Sequence, residues 1–399
     1  MDLRQRAGQL DADDPLSSYR DRFLPTDVVA YLDGNSLGRP LRAAQEQLAA
    51  FVAGPWGDRL IRSWDEGWMT WPEDVGDQLG RVALGAGPGQ VVVADSTTVL
   101  LYKLARAAVD ARPGRTEVVL GTDDFPTDRY VMEGVAAERG LVLRWVETDP
   151  DSGLTVEQVA AAVGPSTALV VLSHVSYRSA YLADLAAVAA VVHEAGALLL
   201  ADLCHSAGAV PLELDAWGVD LAVGCTYKYL NGGPGSPAFA YVARDLGLRQ
   251  PIWGWMGRRD PMEMGPGYLP AAGVRQVVSG TPPVLSMVPL RASLDLLEEV
   301  GVEAVRAKSV ALTSFALELA DAWLVEHGVR VASPRETGRR GGHVTLCRKD
   351  FRSVKDRLWE RGVVPDFRAP DGLRVGLSPL STSFTELHDG MAALRDEIT

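Results

Sequence analysis

The chain has 399 residues, 47% of them apolar and 23% charged, a globular composition that excludes a fibre or a disordered tail. Its 39 basic and 52 acidic residues leave a net charge of −13, which repels phosphodiester backbones and argues against a nucleic-acid partner. Only Cys204, Cys225 and Cys347 occur, without CxxC spacing, so neither a disulfide framework nor a metal site is expected. Met1-Asp2-Leu3-Arg4 opens no hydrophobic signal core, and no apolar run approaches about 18 residues. A soluble, cytoplasmic protein without membrane contact is the expectation.

The first 45 residues show little periodicity and are expected to wrap onto the C-terminal part. Val91-Val92-Val93 then precedes a helical pattern starting near Thr98. Val118-Val119-Leu120 leads to a helix from Asp128 to about Arg139, and Leu141 to Val146 reads as a strand before a helix from Thr155 to Val163. A strand from Ala168 to Ser173, a helix from Leu182 to Ala195 and a strand from Ala197 to Asp202 complete the rhythm. Strands alternating with helices of this size predict crossover units and an α/β architecture around a mostly parallel sheet.

After about residue 290 the pattern changes to a long Ala/Leu/Glu-rich helix reaching His327, interrupted at Gly301. A strand (His343 to Cys347), a helix (Phe351 to Arg361), a strand (Leu373 to Leu377) and a closing helix follow. This predicts a large domain over residues 46–290, with residues 1–45 and 291–399 forming a smaller α+β domain.

The chemistry concentrates in two places. Asp202 ends an apolar strand, where open α/β sheets place their ligands. Lys228 follows the next apolar run, between Tyr227 and Tyr229 and before a Gly-rich turn. A lysine so flanked can be desolvated and made available for Schiff-base chemistry, and an aspartate can hold the proton on a pyridinium nitrogen. Taken singly, the two would be a helix cap and a solvated loop lysine. Asp95-Ser96-Thr97-Thr98 lies between a strand and a helix, a place for an anion site, a simple N-cap or both.

The stretch DLCHSAGAVPLELDAWGVDLAVGCTYKYLNGGPGSPAFAYV, Asp202 to Val242, resembles the cofactor-lysine region of kynureninases. YLDGNSLG (Tyr31 to Gly38), Ser63-Trp64 with Gly67-Trp68, and Phe125-Pro126-Thr127-Asp128 are similar to other family segments. So are Gly254-Trp255, Gly280-Thr281-Pro282-Pro283 and Arg374-Val375, and the likeness covers roughly residues 20 to 390. The resemblance implies a fold-type I PLP-dependent transferase-like fold with pyridoxal 5'-phosphate as cofactor. It further implies hydrolysis of L-kynurenine to anthranilate and L-alanine in tryptophan catabolism, the kynurenine pathway or NAD biosynthesis, by a homodimer with shared active sites.

Residue by residue, the likeness makes Lys228 the cofactor lysine and Asp202 the partner of the ring nitrogen. Tyr227 becomes a phosphate contact and proton-transfer group, and Thr97 and Thr98 become phosphate contacts. Phe125 would lie on the ring and Asp128 near its phenolic oxygen, with His205 supporting the aspartate or the ring. Ser173 matches a cofactor-site position of some relatives. Trp255 and Thr281 would reach the phosphate from the neighbouring subunit. Arg374 would take the substrate carboxylate, which a guanidinium fork binds bidentately. Trp64, Gly280 and Thr281 would face the substrate ring. One departure stands out: Gly254-Trp255-Met256-Gly257-Arg258 replaces the family's Gly-Trp-Phe-Gly-His, which leaves room for a ring-substituted kynurenine.

The rivals are an aminotransferase or a cysteine desulfurase of the same fold type. A desulfurase needs a mobile, exposed cysteine; Cys204 and Cys225 adjoin buried strands and Cys347 lies in a predicted strand. A non-catalytic regulator would append a DNA-binding domain, for which the N-terminal segment is too short and too acidic.

Animal members of the family that favour 3-hydroxykynurenine carry histidine, serine and asparagine where this chain has Trp64, Gly280 and Thr281. Trp64 has no acceptor for a ring hydroxyl and Gly280 has no side chain. Burying an unpartnered hydroxyl costs about 1–3 kcal/mol. Unsubstituted L-kynurenine is therefore expected to exceed 3-hydroxykynurenine roughly ten- to a hundredfold in kcat/KM. Equal values in side-by-side assays would refute this.

Overall fold

The computed structural model describes residues 2–244 and 246–399. Its strands are β1 (Ala30–Leu32), β2 (Val91–Ala94), β3 (Glu117–Gly121), β4 (Val142–Val146), β5 (Thr167–Ser173) and β6 (Leu198–Asp202). They continue with β7 (Leu221–Gly224), β8 (Ala238–Val242), β9 (Arg330–Val331), β10 (His343–Cys347), β11 (Val363–Arg368) and β12 (Gly372–Gly376).

Seven strands form one sheet in the order β2-β8-β7-β6-β5-β3-β4, parallel except where β8 runs against β2 and β7. The Val- and Leu-rich runs of β2, β6 and β7 are buried at every position, as strands covered on both faces must be. Helices Thr97–Asp110, Pro126–Arg139, Val156–Ala162 and Leu185–Glu194 connect the parallel strands. Pro126 starts its helix two residues before the expected Asp128, because a proline at the first helical position gives up an N–H that would have no partner anyway.

Five strands form a second sheet, β1-β11-β12-β10-β9, antiparallel except for β1 against β11. The N-terminal segment thus supplies an edge strand. It also holds a helix, Leu3–Ala12, in a stretch where little periodicity was expected; a reciprocal cap between Asp2 and Gln5 marks its start. Asp11 accepts the N–H groups of Phe384 and Thr385, both at 2.9 Å, and Asp14 pairs with buried Lys308 at 2.7 Å.

The long helical pattern divides as expected at Gly301 (φ +81°), into Val284–Val300 and Val302–Trp323. Side chains up to Val305 join the core of the large sheet and those from Leu312 join the core of the small one, so the two cores meet within the second helix. Among the described residues no helix is long and apolar enough to cross a membrane.

The strand order reverses between β3 and β5, because β4 lies outside β3 and the chain then returns to the other side. Such a switch opens a crevice at the C-terminal strand ends. Here Asp124 bridges it: Oδ2 accepts Gly121 N–H at 2.8 Å and Oδ1 accepts Ser173 N–H at 3.2 Å. Burial pushes this carboxyl up to about 7 from an ordinary 3.8. The folded chain therefore binds the proton more tightly than the unfolded one, and this contribution to stability is lost as pH rises from about 4 to 7. At about 1.4 kcal/mol per pH unit, it amounts to a few kcal/mol. Asp124→Asn is expected to flatten that slope in urea unfolding of the ligand-free protein. An unchanged slope would show that Asp124 does not titrate there.

Candidate active site

The C-terminal ends of β5 and β6, with the loops after β3 and β7, enclose a cavity of about 190 Å³. The larger cleft between Gly247 and Val274 has Arg244 as the one charged side chain in its described lining. Lys228 enters the cavity from the loop after β7. That loop is pinned by Thr226, whose hydroxyl bonds Ser236 Oγ and the Pro237 carbonyl at 2.6 Å each. Asn231 N–H returns to the Lys228 carbonyl at 3.0 Å from a left-handed φ of +47°. The YLDGNSLG turn packs against the outside: Gly38 N–H donates to the Tyr227 carbonyl at 2.8 Å, and a Cβ on Gly38 would collide with the Lys228 carbonyl.

Lys228 Nζ lies 3.0 Å from His205 Nε2 and 6.0 Å from the centres of the Phe125 and Tyr227 rings. Burial, reinforced by the Lys228 charge, keeps His205 well below its usual pKa, so it is a neutral acceptor for the amine. His205 was expected to support Asp202 or the ring; its hydrogen bond goes to the lysine. Asp202, closing β6, accepts Cys204 N–H at 2.7 Å. Asp128 is buried beside it with Oδ2 unpartnered in the protein. Burial first, then the charges of Asp202 and Asp124, raises the Asp128 pKa well above the carboxylate range. Asp128 and Asp202 thus share the cavity with one amine, with Asp124 beside them, an arrangement suited to a cationic or protonated ligand.

Ser96 caps the helix Thr97–Asp110, and Ser96, Thr97 and Thr98 all line the cavity. Free N–H groups and hydroxyls at a helix start attract an anion even in an acidic protein. Phe125 lines the same space and meets Tyr177 edge to face, with ring centres 5.3 Å apart. Ser173 also lines it. The Tyr227 phenol is raised above its ordinary pKa by burial and by the neighbouring Cys225 and Cys204 thiols, so it keeps its proton.

Arg374 stands behind this cavity at the centre of β12, 1% exposed. Nε and Nη2 pair with Asp366, Nη2 also reaches Ser36 Oγ at 2.9 Å, and Nη1 donates to the Tyr177 carbonyl at 2.8 Å. It is connected to the cavity through Tyr177, which lines it.

Five expected residues lie outside the cavity lining: Arg374, Trp64, Trp255, Gly280 and Thr281. Trp64 packs on Trp68 and the Val284 cluster, while Trp255 and Thr281 are exposed. Exposed Trp56 and Ile61 lie in the segment just before Trp64. Arg258 folds back within its own loop, onto the Asp260 carbonyl at 2.9 Å and Glu263 at 2.6 Å.

Sequence reasoning did not single out Tyr177, Asp124 or Ser36. The first two sit just beyond strand C-termini, and that position was the available signal. Cys204 lines the cavity although it adjoins a buried strand. The Cys225 thiol and burial push its pKa up, and its N–H is tied to Asp202, so it is neither a thiolate nor mobile.

Residues 305–394 match the kynureninase C-terminal domain family. The kynureninase of Pseudomonas fluorescens is 40% identical over 99% of this chain and 95% of its own length. That of Burkholderia pseudomallei strain 1106a is 39% identical with the same coverage. Among solved structures, the cystine C–S lyase C-DES, with glycine covalently linked to its PLP cofactor, superimposes with a TM-score of 0.79. It covers 93% of this chain and 97% of that one at 19% identity, a likeness of fold alone. With a relative 40% identical along its whole length, the chain belongs to the kynureninase family.

Proposed function

We propose that this chain is a cytoplasmic, homodimeric, pyridoxal-phosphate-dependent kynureninase that hydrolyses the Cβ–Cγ bond of L-kynurenine, giving anthranilate and L-alanine. The observation that carries the proposal is Lys228 facing Asp202, Asp128 and Phe125 in one buried cavity, in a chain 40% identical to a kynureninase. The residues fit the cofactor. Unpartnered Asp128 Oδ2 and Asp202 await a protonated ring nitrogen and a phenolic oxygen, and the start of the helix Thr97–Asp110 awaits a phosphate. Bound PLP supplies an electron sink for the pair released when the substrate's α-proton is removed.

The chain's own groups do the rest. Lys228 holds the cofactor, is released by the substrate amine and takes the α-proton, with neutral His205 at 3.0 Å to receive its hydrogen bond. Asp202 would hold a proton on the ring nitrogen, and Phe125 would lie against the ring. Thr97, Thr98 and Tyr227 bind the phosphate, and Ser173 borders the ring. Arg374 binds the substrate carboxylate, held in orientation by Asp366. A water adds to the γ-carbonyl carbon, the Cβ–Cγ bond breaks, and Tyr227 delivers a proton to Cβ; its raised pKa keeps that proton available. Trp255 and Thr281 reach the phosphate of the neighbouring subunit's site, and Trp64, Gly280 and Thr281 face the substrate ring. The product places the enzyme in tryptophan catabolism, with NAD biosynthesis as the alternative outlet.

Lys228→Ala is expected to abolish turnover while cofactor binding persists through the phosphate and ring contacts. Borohydride should fix the cofactor of the native enzyme on Lys228. Mapping of the reduced cofactor to another lysine would overturn the mechanism. Arg374→Ala should weaken kynurenine binding by about ten- to a hundredfold, the value of a charge-assisted contact of about 1.5–3 kcal/mol, and leave PLP bound. Unchanged kynurenine affinity would move the carboxylate site elsewhere.

A further inference from the structure

Lys103 has no solvent exposure, and none of the roles assigned above uses it. It lies on the helix Thr97–Asp110, facing back toward the turn that starts it. Its ammonium donates to Asp95 Oδ2 at 3.2 Å, to Ser279 Oγ at 2.6 Å and to the Val277 carbonyl. Ser279 Oγ in turn donates to the same Asp95 oxygen at 2.9 Å. All three ammonium protons are thereby satisfied, with one carboxylate to balance the charge, which a buried lysine requires.

The two segments so joined both belong to the site chemistry. Asp95 directly precedes Ser96-Thr97-Thr98 and sits at φ +45°, a left-handed conformation that aspartate adopts more readily than most side chains. Ser279 directly precedes Gly280-Thr281. A third segment leans on the second: at Gly254 a Cβ would collide with the Ser279 carbonyl, so the Trp255 loop packs backbone to backbone on the Ser279 loop. One ammonium therefore registers the phosphate turn, the Gly280-Thr281 loop and the Trp255 loop against each other. The other fully buried lysine pair, Lys308 with Asp14, touches none of these segments.

We propose that Lys103 is a positioning residue that couples the two active sites of the dimer. It sets the loops that complete the neighbouring subunit's site from the phosphate turn of its own. This rests on the shared-site reading above. Cofactor bound at one phosphate turn then orders, through Asp95, Lys103 and Ser279, the loops that meet the cofactor bound to the other subunit.

The test measures PLP dissociation constants by visible absorbance, alongside thermal melting. Lys103→Met is expected to weaken PLP binding by about ten- to a hundredfold, the order of loss that follows when charge-assisted hydrogen bonds are removed. Ser279→Ala, which leaves the ion pair intact, should give a smaller loss in the same direction. Lys308→Met should lower the melting temperature without changing PLP affinity, which separates positioning from general stability. The decisive species is a mixed dimer of a Lys103→Met chain and a Lys228→Ala chain. Its one site with a cofactor lysine uses the first chain's turn and the second chain's loops, whose Lys103 is intact. Recovery of near-native affinity at that site is the expected result. Weak binding there would confine Lys103 to its own turn and overturn the coupling, as would native affinity in the Lys103→Met homodimer. Sedimentation of the unmodified protein as a monomer would instead refute the shared-site reading itself, whatever Lys103→Met does.

Discussion

Burying negative charge around a single amine is the constraint on which this site depends. Asp124, Asp128 and Asp202 converge on the C-terminal edge of a mostly parallel sheet whose strands are apolar on both faces, and Lys228 brings its cation to Asp128. Each acid is tolerated for a different reason. Asp124 receives two backbone N–H groups, Asp202 receives one, and Asp128 keeps its proton. A cavity so biased suits a ligand that carries a proton on a ring, and the neutral His205 holds the Lys228 nitrogen within it.

The same molecule must hold two anions, a phosphate and a substrate carboxylate, with a net charge of −13. It does so locally. In the proposed arrangement the phosphate end would use helix N–H groups and hydroxyls, which need no formal charge. In the same proposed arrangement the carboxylate end would use Arg374, a permanent cation even when buried, whose plane Asp366 fixes. Acidity of the surface and anion binding in the interior are therefore compatible, because the donors are oriented and desolvated while the surface charges are screened by solvent.

What was legible in the sequence was whatever depends on neighbours along the chain. Asp202 ends a run of leucines and Lys228 sits between two tyrosines, so both could be read as site residues before any fold was known. The alternation of strands and helices from Val91 to Asp202 was readable for the same reason. Tyr177, Asp124 and Lys103 were not, because their importance comes from partners elsewhere: the Arg374 guanidinium, the N–H groups of Gly121 and Ser173, the hydroxyl of Ser279. The direction of β8 was equally hidden, since its alternation of Ala, Phe and Tyr is the same read either way. The helix Leu3–Ala12 buries only Ala7 fully, too narrow a stripe to stand out as periodicity.

The pairing of β1 with β11 has a consequence for biosynthesis. Residues made among the first find their partners among the last: Ala30 aligns with Val363, Asp11 receives the amides of Phe384 and Thr385, and the Tyr31 amide is bonded to Glu386. During translation the large sheet can close while the N-terminal segment still waits outside the ribosome, exposing Leu32 and the face of its helix to solvent. Contacts of such sequence separation form slowly, because the loop they close is nearly the whole chain. The turn that backs Lys228 is thus tethered to a strand that acquires its partner only when synthesis is almost complete, so a nascent chain stalled before residue 363 carries Lys228 but not the framework that steadies it.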